Sequence, residues 1–485
     1  MPEAEKLVSL FRLREQYFPF VNVPDTVSAR WLAKHKPFLL LAILTVTMGA
    51  TPQLQRRTDE RFRRVLSERV ILHGEKSLDY VQGLLVYVAW YPFHLRPLRN
   101  QASQYMQIAN AMTSDLKLAQ GTHGQEGRDA YLACYNLSSL PFFISLRPGG
   151  RGAAEDFDLA LCMPVNCEDT KVQFTKLQLL YESIYKHVPA PESLEDCFQY
   201  SQKVMKSYYR QLEILESSFL PHAQQSISNW LSRLFLRVSI AFLPLKPHQP
   251  RLSQRFPVPP LLSALPNNIS PVAVCFSEIQ TFLEALLSTP VDQYVHFSTK
   301  EWCQVILTLS MGSRICFSSL TNDNSPSPEW NEFQAKAKAK MLIYLESLAH
   351  RMASLSPSPT QPDSFCLFKS VLEILIPTYA PPTGTAPDTR ERSDPSEAQS
   401  QPQQTHKHTG TQNASASASR CPVLNGSIQQ TDFWRAFEQD TPAVSANLQA
   451  EDIFDQTTVD DVLNAPADWP SLFSEWVVDF NSVSL

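Results

Sequence analysis

The sequence predicts an all-α fold: a large domain of packed antiparallel helices over residues 1–378, a disordered linker over 379–430 and an acidic tail over 431–485. Three observations carry this. Glycine is scarce, at 13 in 485 residues, under half the usual share of about 7%. Strand-turn architectures and phosphate-binding loops need residues at positive φ, so the shortage favours helices. The 37 prolines gather in a few clusters that punctuate the chain. Between the clusters, apolar residues recur at i, i+3, i+4 and i+7.

The elements follow in order. Leu7, Leu10, Phe11 and Tyr17 fall near one face of an opening helix, which "YFPFVNVP" breaks. Trp31 begins a short element. The run "PFLLLAILTVTMGA" (37–50) is too short to cross a bilayer and reads as a buried helix. Residues 56–69, "RRTDERFRRVLSER", read as a mixed-charge helix. Its Arg56, Arg57, Arg61, Arg63, Arg64 and Arg69 are interleaved with Asp59, Glu60 and Glu68. That is a salt-bridged surface or a weak nuclear import signal, not a nucleic-acid footprint.

In "EKSLDYVQGLLVYVAWYPFHL" (75–95), Ser77 is an N-cap and Asp79 sits in the first turn, where its charge suits the helix dipole. Leu78, Val81, Leu84, Leu85, Val88 and Ala89 make one face, while Val86, Tyr87 and Trp90 cover much of the other. Gly83 inside this helix costs about 1 kcal/mol relative to alanine, which predicts close approach by a neighbouring helix. Pro92 ends it. Further helices are expected over 101–118, 129–146, 171–185, 194–219, 226–242, 274–287, 299–309, 332–355 and 365–376. Eight prolines between Pro244 and Pro271 exclude a helix there.

Residues 380–420 contain no Phe, Trp, Tyr, Leu, Ile, Val, Met or Cys. Such a segment cannot bury enough surface to offset roughly 1–2 kcal/mol per residue of ordering entropy, so a disordered linker is expected. The tail is different again. Residues 431–485 hold eleven acids against one arginine, a net of −10 within a chain total of −6, which leaves +4 on residues 1–430. Eight aromatics lie among those acids in "TDFWRAFEQD" and "EDIFDQTTVDDVLNAPADWPSLFSEWVVDF". Acids keep aromatics hydrated and accessible, and short amphipathic pieces can fold into a partner's groove. This is the composition of an activation segment, with Trp434, Phe437, Trp469, Phe473, Trp476 and Phe480 as partner-binding anchors. Docking of these pieces back onto the chain's own helices is the competing reading.

Enzyme chemistry is not legible. No G-x-S-x-G, H-E-x-x-H or G-x-x-x-x-G-K-[ST] motif is present. "GGRGAAE" (149–155) lacks the third glycine of a dinucleotide loop and reads as a surface turn. Cys162 and Cys167 have no second Cys/His pair nearby to complete a tetrahedral zinc site. His406 and His408 fall in the linker. No catalytic, cofactor or metal site is expected. Nine cysteines, an odd number, without a secretory N-terminus imply reduced, mostly buried thiols.

The stretch "RFRRVLSERVILHGEKSLDYVQGLLVYVAWYPFHLRP", with "YFPFV" and "PFLLLAILTV" before it, resembles the middle homology region of fungal zinc-cluster transcription factors. The similarity continues through "MQIANAMTSDLKLA" and "YLACYNLSSLPFFISLRP", and more faintly through "FLEALLSTPVDQYVHFSTKEWCQVILTLS" and "FKSVLEILIPTY". The resemblance implies an all-helical nuclear regulator of transcription, in a family that often controls secondary-metabolite gene clusters. Members bind DNA through an N-terminal cluster of six cysteines. Here the first cysteine is Cys134, so that module is expected to be missing, and direct sequence-specific DNA binding with it. Expected partners are transcription machinery or co-activators through the tail, and a zinc-cluster paralogue; no membrane is expected. A truncated copy that titrates a relative's partners and a cytosolic α-helical scaffold are the rival readings.

Overall fold

In the computed structural model, residues 2–96, 101–140, 170–186, 194–219, 226–245, 269–317, 328–356 and 363–380 are described. Among them the α-helices are α1 (Pro2–Arg12), α2 (Ala29–His35), α3 (Pro37–Thr47), α4 (Pro52–Val65), α5 (Leu78–Ala89), α6 (Ala102–Asp115), α7 (Gly124–Ser138), α8 (Thr170–Lys186), α9 (Leu194–Ser217), α10 (Ile227–Phe242), α11 (Ser270–Ser288), α12 (Thr299–Phe317), α13 (Pro328–Leu355) and α14 (Ser364–Tyr379), with no strand. The all-α prediction holds.

Local chemistry sets the helix starts. Ser28, Ser77, Ser226 and Asp363 are N-caps whose side chains accept from the backbone N–H of Trp31, Tyr80, Asn229 and Cys366. α3 has no such residue, because Lys36 at its N-cap cannot accept a hydrogen bond. Asp79 of α5 serves instead: its carboxylate accepts from Phe38 N at 3.0 Å and Leu39 N at 2.8 Å. The sequence reading placed Asp79 on its own helix's dipole, whereas its hydrogen bonds cap the neighbouring helix.

α3 and α5 form the centre of the first half, flanked by α1, α4, α6 and α7. Residues 81–89 are all buried, so α5 is enclosed nearly all round. Gly83 faces α3, and a Cβ there would stand 2.5 Å from Phe38 Cδ1. The Phe38 ring then stacks on Phe62 of α4 (4.6 Å), which stacks on Tyr87 of α5 (4.1 Å, 9° between planes). Each such pair adds about 0.5–1.5 kcal/mol beyond area burial. The missing side chain at Gly83 is what lets this stack close.

In the second half α10 packs on α8, α11 and α12, and α13 lies along α14. α11 has the length and apolarity to cross a membrane, yet half of its 18-residue window is buried, and it packs against α10, α12 and α13. The halves join where α7 meets α8 and α5 meets α12, giving one continuous apolar core. Cys134, Cys275, Cys303 and Cys316 are buried free thiols within it.

Several boundaries differ from the sequence reading. In α1 it is Val8 and Phe11 that turn inward, while Leu10 is 44% exposed. The 56–69 helix ends at Val65 and passes into a π-helical stretch, Leu66–Leu72, with His73 N donating to Glu68 O across five residues. Asp59 lies buried rather than on the surface, accepting a hydrogen bond from Tyr87 Oη and pairing with Arg96 Nε at 3.4 Å. The helix expected from 129 already begins at Gly124 and ends at Ser138, and 141–146 lie outside the described residues. α12 continues past 309 to Phe317, because Gly312 is a packing glycine: a Cβ there would lie 2.9 Å from Met341 Cε. α14 runs through Pro377 to Tyr379, since a proline in the last turn removes only one intrahelical bond.

Candidate functional site

The aromatic corner that ends α5 walls a cavity of about 370 Å³. The turn after α1 and the end of α3 contribute Arg14 and Val46, and the corner contributes Trp90 to His94. Residues 294–302, before and in α12, and residues 363–368, the N-cap and first turn of α14, close the other side. Two long-range bonds clamp these parts together. Trp90 Nε1 donates to His296 O at 3.0 Å, and Thr299 Oγ1 donates to Val88 O at 2.9 Å. Trp90 also meets Phe11 and Phe18 edge-on, and Phe297 packs against Tyr17, Tyr294 and Trp302.

The polar atoms of this wall are few and specifically placed. Arg14 Nη1 donates to Val46 O at 2.8 Å, and the guanidinium lies 5.9 Å from the centre of the Trp90 ring. Gln55 Nε2 donates to Thr45 O at 3.0 Å, which turns Gln55 Oε1 toward His94 Nε2, 3.0 Å away. His94 Nε2 therefore carries the ring proton, and Nδ1 accepts from Ser364 Oγ at 2.7 Å. That bond ties the end of α5 to the start of α14.

Burial first, and the nearby Arg56 second, lower the His94 pKa from 6.5 to about 4. The unfolded chain therefore takes up a proton at this position before the folded one does. Stability from neutral His94 is complete above pH 6.5 and is lost as pH falls toward 4. About 2 kcal/mol should be gone by pH 5. Denaturant melts at pH 7 and pH 5 check this: His94→Gln should lose less stability over that interval than the parent, and an equal loss in both would contradict the assignment.

The sequence-predicted anchors Trp434, Phe437, Trp469, Phe473, Trp476 and Phe480 lie outside the described residues, as do Cys162, Cys167, His406, His408 and 149–155. Among the described residues no group of three or more His, Cys, Asp or Glu could hold a metal ion. Sequence reasoning read Trp90 as a helix-face residue and Pro92 as a helix end, and missed the cavity. Its walls come from segments about two hundred residues apart, such as Trp90 and His296, and no spacing rule reports a void between them.

Comparison with known proteins gives relatives but no fold match. No family model matches the chain, and no solved structure does. The chain is 26% identical over 335 residues to a protein of Aspergillus japonicus named transcription factor himD, covering 62% of this chain and 53% of that one. It is 31% identical over 116 residues to transcription factor opdL of Penicillium oxalicum, 24% of this chain and 20% of that one. A protein of Aspergillus terreus named transcription factor is 31% identical over 88 residues, 18% and 15% of the two chains. The chain thus spans at most about half the length of these curated relatives. It is similar to fungal proteins named as transcription factors.

Proposed function

We propose that this chain is a nuclear fungal transcription regulator controlling a gene cluster, such as one for secondary metabolism. The observation that carries the reading is the similarity to himD over 62% of the chain. The tail supports it from chemistry alone, with eight aromatics among eleven acids over residues 431–485. The 485 residues hold no cluster of six closely spaced cysteines, and their proposed role is regulation rather than DNA recognition. A zinc-cluster paralogue is the proposed DNA-binding partner, and transcription machinery or a co-activator the proposed partner of the tail.

Anchored segments of this kind work through hydrophobic contacts, with the acids supplying exposure and long-range attraction. Residues 431–485 fused to a foreign DNA-binding domain should activate a reporter. Replacing Trp469, Phe473 and Trp476 with alanine should remove most of that activity, while neutralising Asp460 and Asp461 should only reduce it. Deleting the gene should silence a contiguous set of transcripts, and a fluorescently tagged chain should enter the nucleus. A silent fusion would remove the activation role. Unchanged transcripts, or a chain excluded from the nucleus, would favour the cytosolic scaffold.

A further inference from the structure

Two residues bordering the cavity leave polar atoms unused. Arg14 Nε and His296 Nδ1 are enclosed and have no hydrogen-bond partner. An unmet buried polar atom is destabilising, and more so on a charged group. No carboxylate among the described residues pairs with Arg14, whose hydrogen bonding ends at Val46 O. Burial lowers its pKa only to about 10, so it remains a cation at neutral pH. Among the described lining residues Asp363 is the single acid, and its oxygens are occupied by Cys366 N at 2.7 Å and Ser356 Oγ at 3.1 Å. The rest of the wall is largely aromatic, with Trp90, Phe297, Trp302, Phe365 and Phe368.

We propose that this cavity binds a small planar aromatic molecule carrying one carboxylate, with its rings between the aromatic walls and its carboxylate against the Arg14 guanidinium. Charge complementarity selects the anion: among the described residues the wall presents one unpaired cation and no free acid. A guanidinium–carboxylate hydrogen bond is roughly twice as strong as a neutral one. The size agrees, since ligand pockets of about 300–1,000 Å³ accept drug-sized molecules.

Calorimetry on the full chain tests this with 2-naphthoate and anthracene-2-carboxylate, and with 2-naphthalenemethanol as the uncharged match. Both acids should bind, and the alcohol at least about tenfold more weakly. Arg14→Met should abolish that preference. Leu10→Trp, at a position 44% exposed on the lining, should block both acids and serves if Arg14→Met does not fold. Failure of both acids to bind, equal affinity for acid and alcohol, or acid binding untouched by Leu10→Trp would overturn the proposal. Acid binding seen only after Trp469, Phe473 and Trp476 are changed to alanine would assign the cavity to the chain's own tail instead.

Discussion

Glu301→Ala should destabilise the chain by about 3–5 kcal/mol, the usual cost of removing one partner from a buried charged network. Glu301 is fully buried. It accepts from Ser298 N at 2.9 Å and Ser298 Oγ at 2.6 Å, and from Ser228 Oγ of α10. Ser298 and Glu301 have the spacing of a capping box, so the carboxylate both starts α12 and ties it to α10. Lys300 Nζ lies 3.8 Å away. Burial lowers the Lys300 pKa to about 8 and Glu301 opposes that fall, so losing the carboxylate lowers it further. Glu301→Gln keeps an acceptor for Ser298 N and should cost less than Glu301→Ala. Denaturant midpoints check both, and an alanine variant within about 1 kcal/mol of the parent would contradict the buried role.

Gly83→Leu should destabilise at or beyond the upper end of the roughly 1–3 kcal/mol typical of overpacking. Helix propensity works the other way, by about 1 kcal/mol in favour of leucine, and sterics outweigh it. A Cβ would meet Phe38 Cδ1 at 2.5 Å, Cε1 at 3.0 Å and the Phe38 carbonyl carbon at 3.2 Å. The ring cannot swing freely, because it is stacked on Phe62 and touches Tyr80 edge-on. The backbone carbon moves only if α3 moves, and α3 is capped by Asp79 of the same helix that carries Gly83. The melting temperature should fall below the parent's. Phe38→Ala in the same chain should reduce the added cost of leucine at 83, since it removes the nearest atoms. A variant that melts higher than the parent would mean that this face has room.

The helical class, most helix positions and the enclosure of α5 were legible in one dimension, because helix periodicity and serine caps are local properties. Even Gly83 announced a close neighbour, since a glycine within an apolar helix is costly unless something needs its space. The sequence could not name that neighbour as Phe38, nor show that Asp79 caps the next helix. Both depend on where α3 lies against α5. The π-helical stretch after Val65, the inward turn of Asp59 and the continuation of α12 past 309 went unread for the same reason: a packed partner outweighs local propensity. The cavity is the extreme case. Arg14, Trp90, His296 and Phe365 each look like ordinary packing residues in the chain. Only the approach of α1, the 90–94 corner and α12–α14 leaves a gap among them with a cation and a histidine nitrogen at its edge. Local chemistry therefore specified where the helices begin and what they bury, while long-range packing decided which side chains meet, and where they fail to meet.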